Sequence, residues 1–267
     1  MADSNTEAKQ QADPNRESAT DDILETLLFK ILVCALLAYV SCRVLNVVVK
    51  RLGSVISPLF VNCFSSSYNS RMGGVKRRLF ANLADLQERN GGELTILEVG
   101  AGGGANFQYY PKCSKIIAVD TNERYQKYLQ RKAMDTGHIV LDRFVVAKGE
   151  DMGDILNDSV DAVVSTLVMS GMQHPEDYVR EVKRILKPGG MFFYMEHVSA
   201  SKNSWTHLMQ RMLNPLFVFC DGCHLTRQTW TYIDMGGFRR LEYSRFFAPL
   251  KGYMQVIRPH LVGSAMK

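Results

Sequence analysis

The ten residues 97–106, Leu-Glu-Val-Gly-Ala-Gly-Gly-Gly-Ala-Asn, constrain this chain more than any other stretch. With the preceding Leu94-Thr95-Ile96 they make an aliphatic run that breaks into closely spaced glycines, the pattern of a buried strand entering a tight turn. Gly100, Gly102 and Gly104 open backbone conformations closed to other residues and let a ligand approach the main chain. Glu98, two residues before the first of them, is positioned to hold a cationic or hydroxyl-bearing ligand. The stretch predicts a small polar metabolite over the turn without saying which one. Gly100-x-Gly102-x-x-Ala105 also satisfies the dinucleotide fingerprint. Asp120, closing the apolar run Ile116-Ile117-Ala118-Val119, stands about where that fingerprint has its ribose-binding acid. A tight connection with no ligand satisfies the glycines as well.

A chain of 267 residues holds one large α/β domain or two small ones. Its formal charge of +5 is unevenly spread. Residues 1–22 set six acids against Lys9 and Arg16, a local −4, so the remainder carries +9. That excess suits an anionic membrane surface or acidic ligands; no nucleic-acid partner is expected. The six cysteines form no disulfide framework: Cys34 and Cys42 lie in an apolar segment, and Cys63 and Cys113 are isolated. A reducing compartment is the simpler account. Cys220-Asp-Gly-Cys223-His224 matches a haem-attachment pattern, but that reading needs export and an axial partner. No second Cys or His pair has ligand spacing, so no metal is expected.

In chain order, residues 1–22 are polar and lack apolar periodicity, and are expected to form a disordered acidic tail. The tail is the opposite of the cationic start of a cleaved leader. Residues 23–64 read as a hydrophobic membrane anchor. Residues 31–42 carry no charge, which is short of the roughly 20 residues needed to span a bilayer, but Arg43 can snorkel and extend the run to Val49. A second limb, 52–64, is broken by Gly53 and Pro58, so spanning and lying in one leaflet both stay open. If it spans, Arg43, Lys50 and Arg51 put the following domain on the cytoplasmic side. Residues 65–267 form the expected globular domain. It opens on an amphipathic helix over 68–89, with Val75, Leu79, Phe80, Leu83 and Leu86 on one face and Lys76, Arg77 and Arg78 on a solvated cationic one.

Beyond the glycine turn, strands are expected to Asp120, around 144–147, over 160–166 and over 191–197, with helices over 122–134 and 175–185. Alternating units imply a parallel sheet with helices on both faces, binding ligands at the carboxyl ends of its strands. Glu98 to Gly104, Asp120, Glu150-Asp151-Met152, Thr166-Leu167 and Glu196-His197 all fall at those ends. Residues 205–219 are strongly apolar and expected to be core or interface. Segments near 238–247 and 256–266 are candidate edge strands.

Glu181-Val-x-Arg184-Ile-Leu-Lys187-Pro-Gly-Gly190, leading into Met-Phe-Phe-Tyr, closes a helix and turns into a strand. Together with Glu98-x-Gly-x-Gly-x-Gly, an acid ending the second strand and Gly149-Glu-Asp-Met152 after the third, it resembles the class I S-adenosylmethionine-dependent methyltransferases. Tyr68-Asn69-x-x-Met72, Arg143-Phe-Val-Val-Ala-x-Gly-Glu-Asp-Met152, Met195-Glu-His-Val198, Asp221-Gly-Cys223-x-Leu-Thr-Arg227 and Arg258-Pro-His260 make it similar to the methyltransferase-like protein 7 family from Tyr68 onward. Members of that family are alkyl thiol S-methyltransferases of endoplasmic reticulum and lipid droplets.

The resemblance implies a Rossmann-like class I methyltransferase fold, a mostly parallel seven-stranded sheet preceded by an N-terminal anchor helix. It implies S-adenosylmethionine as cofactor and a small lipophilic thiol as substrate, methylated at the cytosolic face of the endoplasmic reticulum or on lipid droplets. On it, Gly100, Gly102, Gly104, Glu98 and Asn106 surround the aminoacyl part of the cofactor and Asp120 takes the ribose hydroxyls. Glu150, Asp151 and Met152 border the adenine, and Thr166 and Leu167 line the other wall. Two groups are candidates for assisting the thiol: His197, either a base or a structural histidine, and the cluster Asp221, Cys223 and His224, with Cys223 either a pocket thiol or simply packed. The alternatives are another lipophilic acceptor (a quinone, sterol or phospholipid amine) on the same fold, a non-catalytic membrane scaffold, and a dinucleotide oxidoreductase.

Overall fold

In a computed structural model, the chain divides into two units, residues 1–53 and 54–267. The structure describes residues 66–267 and eight earlier positions, Leu32, Leu36, Tyr39, Val40, Ser41, Arg43, Val44 and Val47, all helical and exposed. The expected acidic tail and most of the expected anchor lie outside the described residues. Among those described, no helix is long and apolar enough to cross a membrane.

Seven strands form one sheet in the order β3-β2-β1-β4-β5-β7-β6. The first five are β1 (Thr95–Val99), β2 (Ser114–Asp120), β3 (Ile139–Val146), β4 (Val160–Thr166) and β5 (Leu186–His197). They pair in parallel, β1 lying between β2 and β4. Then β6 (Arg240–Phe247) and β7 (Pro259–Met266) close the edge as an antiparallel pair, with β7 inserted against β5.

Side chains alternate across this sheet and feed two cores. Ile96, Ile116, Ala118, Val164, Phe193 and Met195 pack with residues of α1 (66–89) and α2 (Tyr125–Thr136). Leu97, Val119, Val163, Phe192 and Tyr194 pack with α3 (Pro175–Ile185) and with α5 (Thr229–Asp234). Both faces of the inner parallel strands β2, β1, β4 and β5 are therefore largely buried, as crossover helices require. Helix α4 (Trp205–Asp221) lies on the first face, where Leu213 and Phe217 reach the core.

Four expectations need correcting. Lys76 is not on a solvated face: it is 2 % exposed, because position 76 continues the buried stripe Tyr68, Met72, Leu79, Phe80, Leu83. Helix α2 begins at Tyr125 rather than at 122, since Asn122 N–H donates to Asp120 and the Asn122 side chain accepts from Arg124 N–H, holding a turn there. Strand β3 starts at Ile139; at the sheet edge it tolerates Asp142 and Arg143, which interrupt its apolar pattern. The Pro-Gly-Gly turn does not precede β5 but bulges from it: Val160 faces Leu186 and Ala162 already faces Met191. His197 is the last residue of β5, as expected, although the strand begins earlier, at Leu186.

The glycine turn closes the gap between β1 and the loop after β4. Gly100 has φ +64°, and a Cβ there would stand 2.4 Å from Val168 Cγ2. Gly100→Ala should therefore cost about 2–3 kcal/mol in chemical denaturation, part backbone strain and part overlap. In a Val168→Ala background the same substitution should cost at least about 1 kcal/mol less. Equal costs would show that Val168 does not set the constraint.

Candidate active site

At the carboxyl end of β1 the backbone turns back on β2: Gly100 N–H donates to Val119 O at 2.8 Å. Gly102, at φ +50°, presents its N–H to Asp120 Oδ2 at 3.0 Å, and Asn122 N–H takes Oδ1 at 3.0 Å. Burial pushes the Asp120 carboxyl upward and these backbone N–H groups hold it back. Each oxygen keeps a lone pair for a further donor, so the acid can accept two hydroxyls. Beside it, a cleft of about 620 Å³ is lined by Thr121, Val146, Ala147, Lys148, Asp151, Gly153 and Asp154. An acid able to bind two hydroxyls, next to a cleft at the ends of β2 and β3, fits a nucleoside.

Glu98 and Asn106 are fully enclosed. Glu98 Oε1 accepts from Asn106 Nδ2 at 2.8 Å and Oε2 from the Tyr110 hydroxyl at 2.8 Å. Asn106 Nδ2 also donates to Thr166 Oγ1 at 3.0 Å, while Asn106 Oδ1 accepts from Lys76 Nζ at 2.7 Å. Lys76 Nζ donates again to Asn69 Oδ1 at 2.6 Å. Burial pushes Glu98 up to about 7, against the pull of Tyr110, Asn106 and Lys76, and pushes Lys76 down to about 8. Both Glu98 oxygens are thus taken up by the protein, and the cation it meets is Lys76. Of this group, Lys76 is the cation expected on a solvated face, and Tyr110 is the member with no signal in the sequence.

The remaining predicted residues separate by face. Glu196 and His197 are adjacent on β5 but point to opposite sides. Glu196 Oε1 accepts from Ser165 Oγ and Val168 N–H, each at 3.1 Å, with Oε2 unpartnered, and burial pushes its carboxyl up to about 7. His197 Nε2 lies 3.2 Å from Cys223 Sγ, whose own neighbour is Ser170 Oγ at 3.6 Å. His197 Nδ1 is buried without a partner. Burial, with help from His260 and Arg227, pushes His197 down to about 3, so the imidazole is neutral at physiological pH. His260 faces it across the β5–β7 register and bonds the Tyr68 hydroxyl of α1 at 2.8 Å.

Around the cleft beside Asp120, Asp151 is exposed at the rim. Glu150 accepts Gln173 N–H at 2.7 Å. Met152 is 0 % exposed, its N–H donating to Glu181. Leu167, at φ +60°, donates its N–H to Met195 O. His224 N–H donates to Ser170 O. Asp221 ends α4, and its side chain lies outside the described residues.

This sheet order, with a turn and an acid at the ends of β1 and β2, defines a class I methyltransferase, whose cofactor is S-adenosylmethionine. A methyltransferase domain family model matches residues 97–194. The fold is shared with an S-adenosylmethionine-dependent methyltransferase from Methanosarcina mazei, at TM-score 0.52 and 14% identity, over 66% of this chain and 92% of that one. It is shared also with one from Thermotoga maritima, at TM-score 0.50 and 18% identity, over 79% and 98%. Among curated relatives, human thiol S-methyltransferase TMT1A is 39% identical over 79% of this chain and 85% of its own. Rat and human TMT1B are 38% and 36% identical over the same shares. The chain belongs to this family of methyltransferases.

The buried imidazole has a consequence for stability. Because His197 is held near 3 in the fold and titrates near 6.5 when unfolded, the unfolded chain binds the extra proton between those values. Its contribution is complete above pH 6.5 and is lost as pH falls. The stability gap between wild type and His197→Gln should therefore narrow by up to about 1.4 kcal/mol per pH unit below 6.5. A gap constant from pH 7 to pH 4 would mean that the ring is charged in the native state.

Proposed function

We propose that this protein transfers a methyl group from S-adenosylmethionine to the sulfur of small lipophilic thiols, producing S-adenosylhomocysteine and a methyl thioether. The observation that carries this reading is the similarity, at 39% identity over 211 residues, to a protein named thiol S-methyltransferase. Asp120 holds the ribose hydroxyls, and Asp151 borders the adenine from the rim of the cleft. Gly100, Gly102 and Gly104 back the aminoacyl part. Glu98 and Asn106 act from behind the turn, keeping its exit fixed to β4 through Thr166. Glu150 and Met152 shape the far loop through Gln173 and Glu181, and Leu167 forms the opposite wall.

When bound, the cofactor supplies a methyl group activated on a sulfonium. The acceptor sulfur must then be positioned in line with it and ionised, and positioning accounts for much of the acceleration. A thiol of pKa near 8.5 is a few per cent ionised at neutral pH. In this reading the acceptor sits against His197 and Cys223. His197 Nδ1 accepts the S–H hydrogen bond and orients the sulfur, but a ring held near 3 is a poor resting place for the proton, which passes to water. Leu213 and Phe217, on the inner side of α4, supply the apolar wall.

The same reading seats the protein on the endoplasmic reticulum membrane or a lipid droplet through residues 23–64, with the catalytic domain toward the cytosol. The uncharged run 31–42 followed by Arg43, Lys50 and Arg51 supports this orientation. Leu32, Leu36, Val40, Val44 and Val47, whose exposed side chains repeat at helical spacing, support the seating on lipid.

Three measurements test the assignment. Asp120→Asn keeps the shape of the acid but removes its charge, so S-adenosylhomocysteine affinity by calorimetry should fall about 10- to 100-fold; unchanged affinity would exclude Asp120 as the ribose acceptor. With labelled donor and a panel of thiols, quinones, sterols and phospholipid amines, label should enter the thiols. Leu213→Ser with Phe217→Ser should raise KM for long-chain thiols by roughly tenfold or more, and much less for small polar ones. Turnover confined to another acceptor class would overturn the thiol reading.

A further inference from the structure

Helix α4 is built inside out. Its amide side chains point inward. Gln210 is 0 % exposed, accepting from Ala200 N–H at 2.8 Å and donating to Val198 O and Val256 O, each at 3.1 Å. Asn214 Oδ1 accepts Leu225 N–H at 2.8 Å. These bonds fix the rotation of the helix about its axis. The outward face is apolar: Trp205, Leu208, Met212, Leu216 and Phe219 are 46–73 % exposed. Their spacing of three and four residues puts them in one stripe along about four turns. Rotating the helix to hide the stripe would strand the buried amide of Gln210, so water is a poor medium for this face.

We propose that this stripe rests on a lipid surface carrying anionic headgroups, as a contact additional to residues 23–64. The chemistry of the face favours lipid over protein. Along the stripe the hydrogen-bonding group is the Trp205 indole at one end, whereas a protein interface carries about one hydrogen bond per 100–200 Å² and a polar rim. Among the described side chains of α4 the charged one is Arg211, exposed at the flank of the stripe, and exposed Lys202 precedes the helix; both suit phosphate.

The position agrees. Cys223, just past α4, meets His197, His197 faces His260, and His260 bonds Tyr68 near the start of α1. The start of α1 and the carboxyl end of α4 thus lie at the same end of the sheet. Cys223 and His197 then lie beside the helix that rests on the lipid surface.

The test uses the full chain, wild type and Trp205→Phe, on phosphatidylcholine vesicles containing phosphatidylserine with brominated acyl chains. Bromine should reduce the part of the emission lost in Trp205→Phe on the order of twofold, as expected of an indole at the acyl boundary. Met212→Asp with Leu216→Asp, both at exposed positions, should remove that quenching, and Met134→Asp on α2 should not. Vesicle-bound protein whose Trp205 emission ignores bromine overturns the proposal. So does Trp205 emission that shifts with protein concentration without vesicles, which indicates a second copy on the face. So does shielding from iodide at every concentration, which indicates residues 23–64 folded over it. None of these readings requires turnover, so loss of the thiol assignment leaves the outcome interpretable.

Discussion

The buried contact between Lys76 and Asn106 is the constraint on which the rest of the site depends. One ammonium group, 2 % exposed, fixes which way the Asn106 amide faces; the amide then bonds both Glu98 at the end of β1 and Thr166 at the end of β4. Three elements distant in sequence are locked by one side chain that has no freedom to flip. Burying a cation and a carboxylate carries a desolvation penalty of several kcal/mol per ion, offset here only because each polar atom finds a partner. That penalty is visible in the direction of both groups, Glu98 up to about 7 and Lys76 down to about 8. The exit of the glycine turn is therefore rigid before any ligand arrives.

The alternation of side chains across β5 divides the work of the site. Glu196 serves the α3 side, where it holds Ser165 and the loop after β4, while His197 serves the α1 side and meets Cys223. Adjacent residues with complementary chemistry look like a pair in sequence, but the pleat keeps them apart. What His197 does share is a surface with His260, supplied by a strand 63 positions later in the numbering and running the opposite way. Two imidazoles facing each other in a dry site both stay neutral, held down chiefly by burial, and His260 lowers the proton affinity of His197 further.

The parallel sheet was readable because its strands are nearly continuous aliphatic runs ended by glycine or acid, and these runs set the position of Asp120 and the turn at Gly100. Lys76 was misread although its signal was present: it continues the four-residue rhythm of Tyr68 and Met72, and a lysine at such a position is either an error of phase or a buried cation with a function. Helix α4 was harder. Its polar residues His207, Gln210 and Asn214 also recur at helical spacing, and amphipathicity alone does not say which face meets the core. Only the carbonyls of Val198 and Val256, left over by chain segments with no regular partner, show why Gln210 turns inward. Tyr110 gave no signal, since a single tyrosine just past a short 3-10 turn acquires its role solely by reaching Glu98.

The insertion of β7 between β5 and β6 sets an order of assembly. Strands β1 to β3 and the turn that joins them are neighbours in sequence and can associate while the rest of the chain is still being made. The Tyr68–His260 bond, by contrast, joins residues 192 positions apart. It closes only when the last strand slides between two others. Asp120 and the glycine turn thus rest on strands close together in the chain, while the surroundings of His197 are complete only when residues 259–266 are in place.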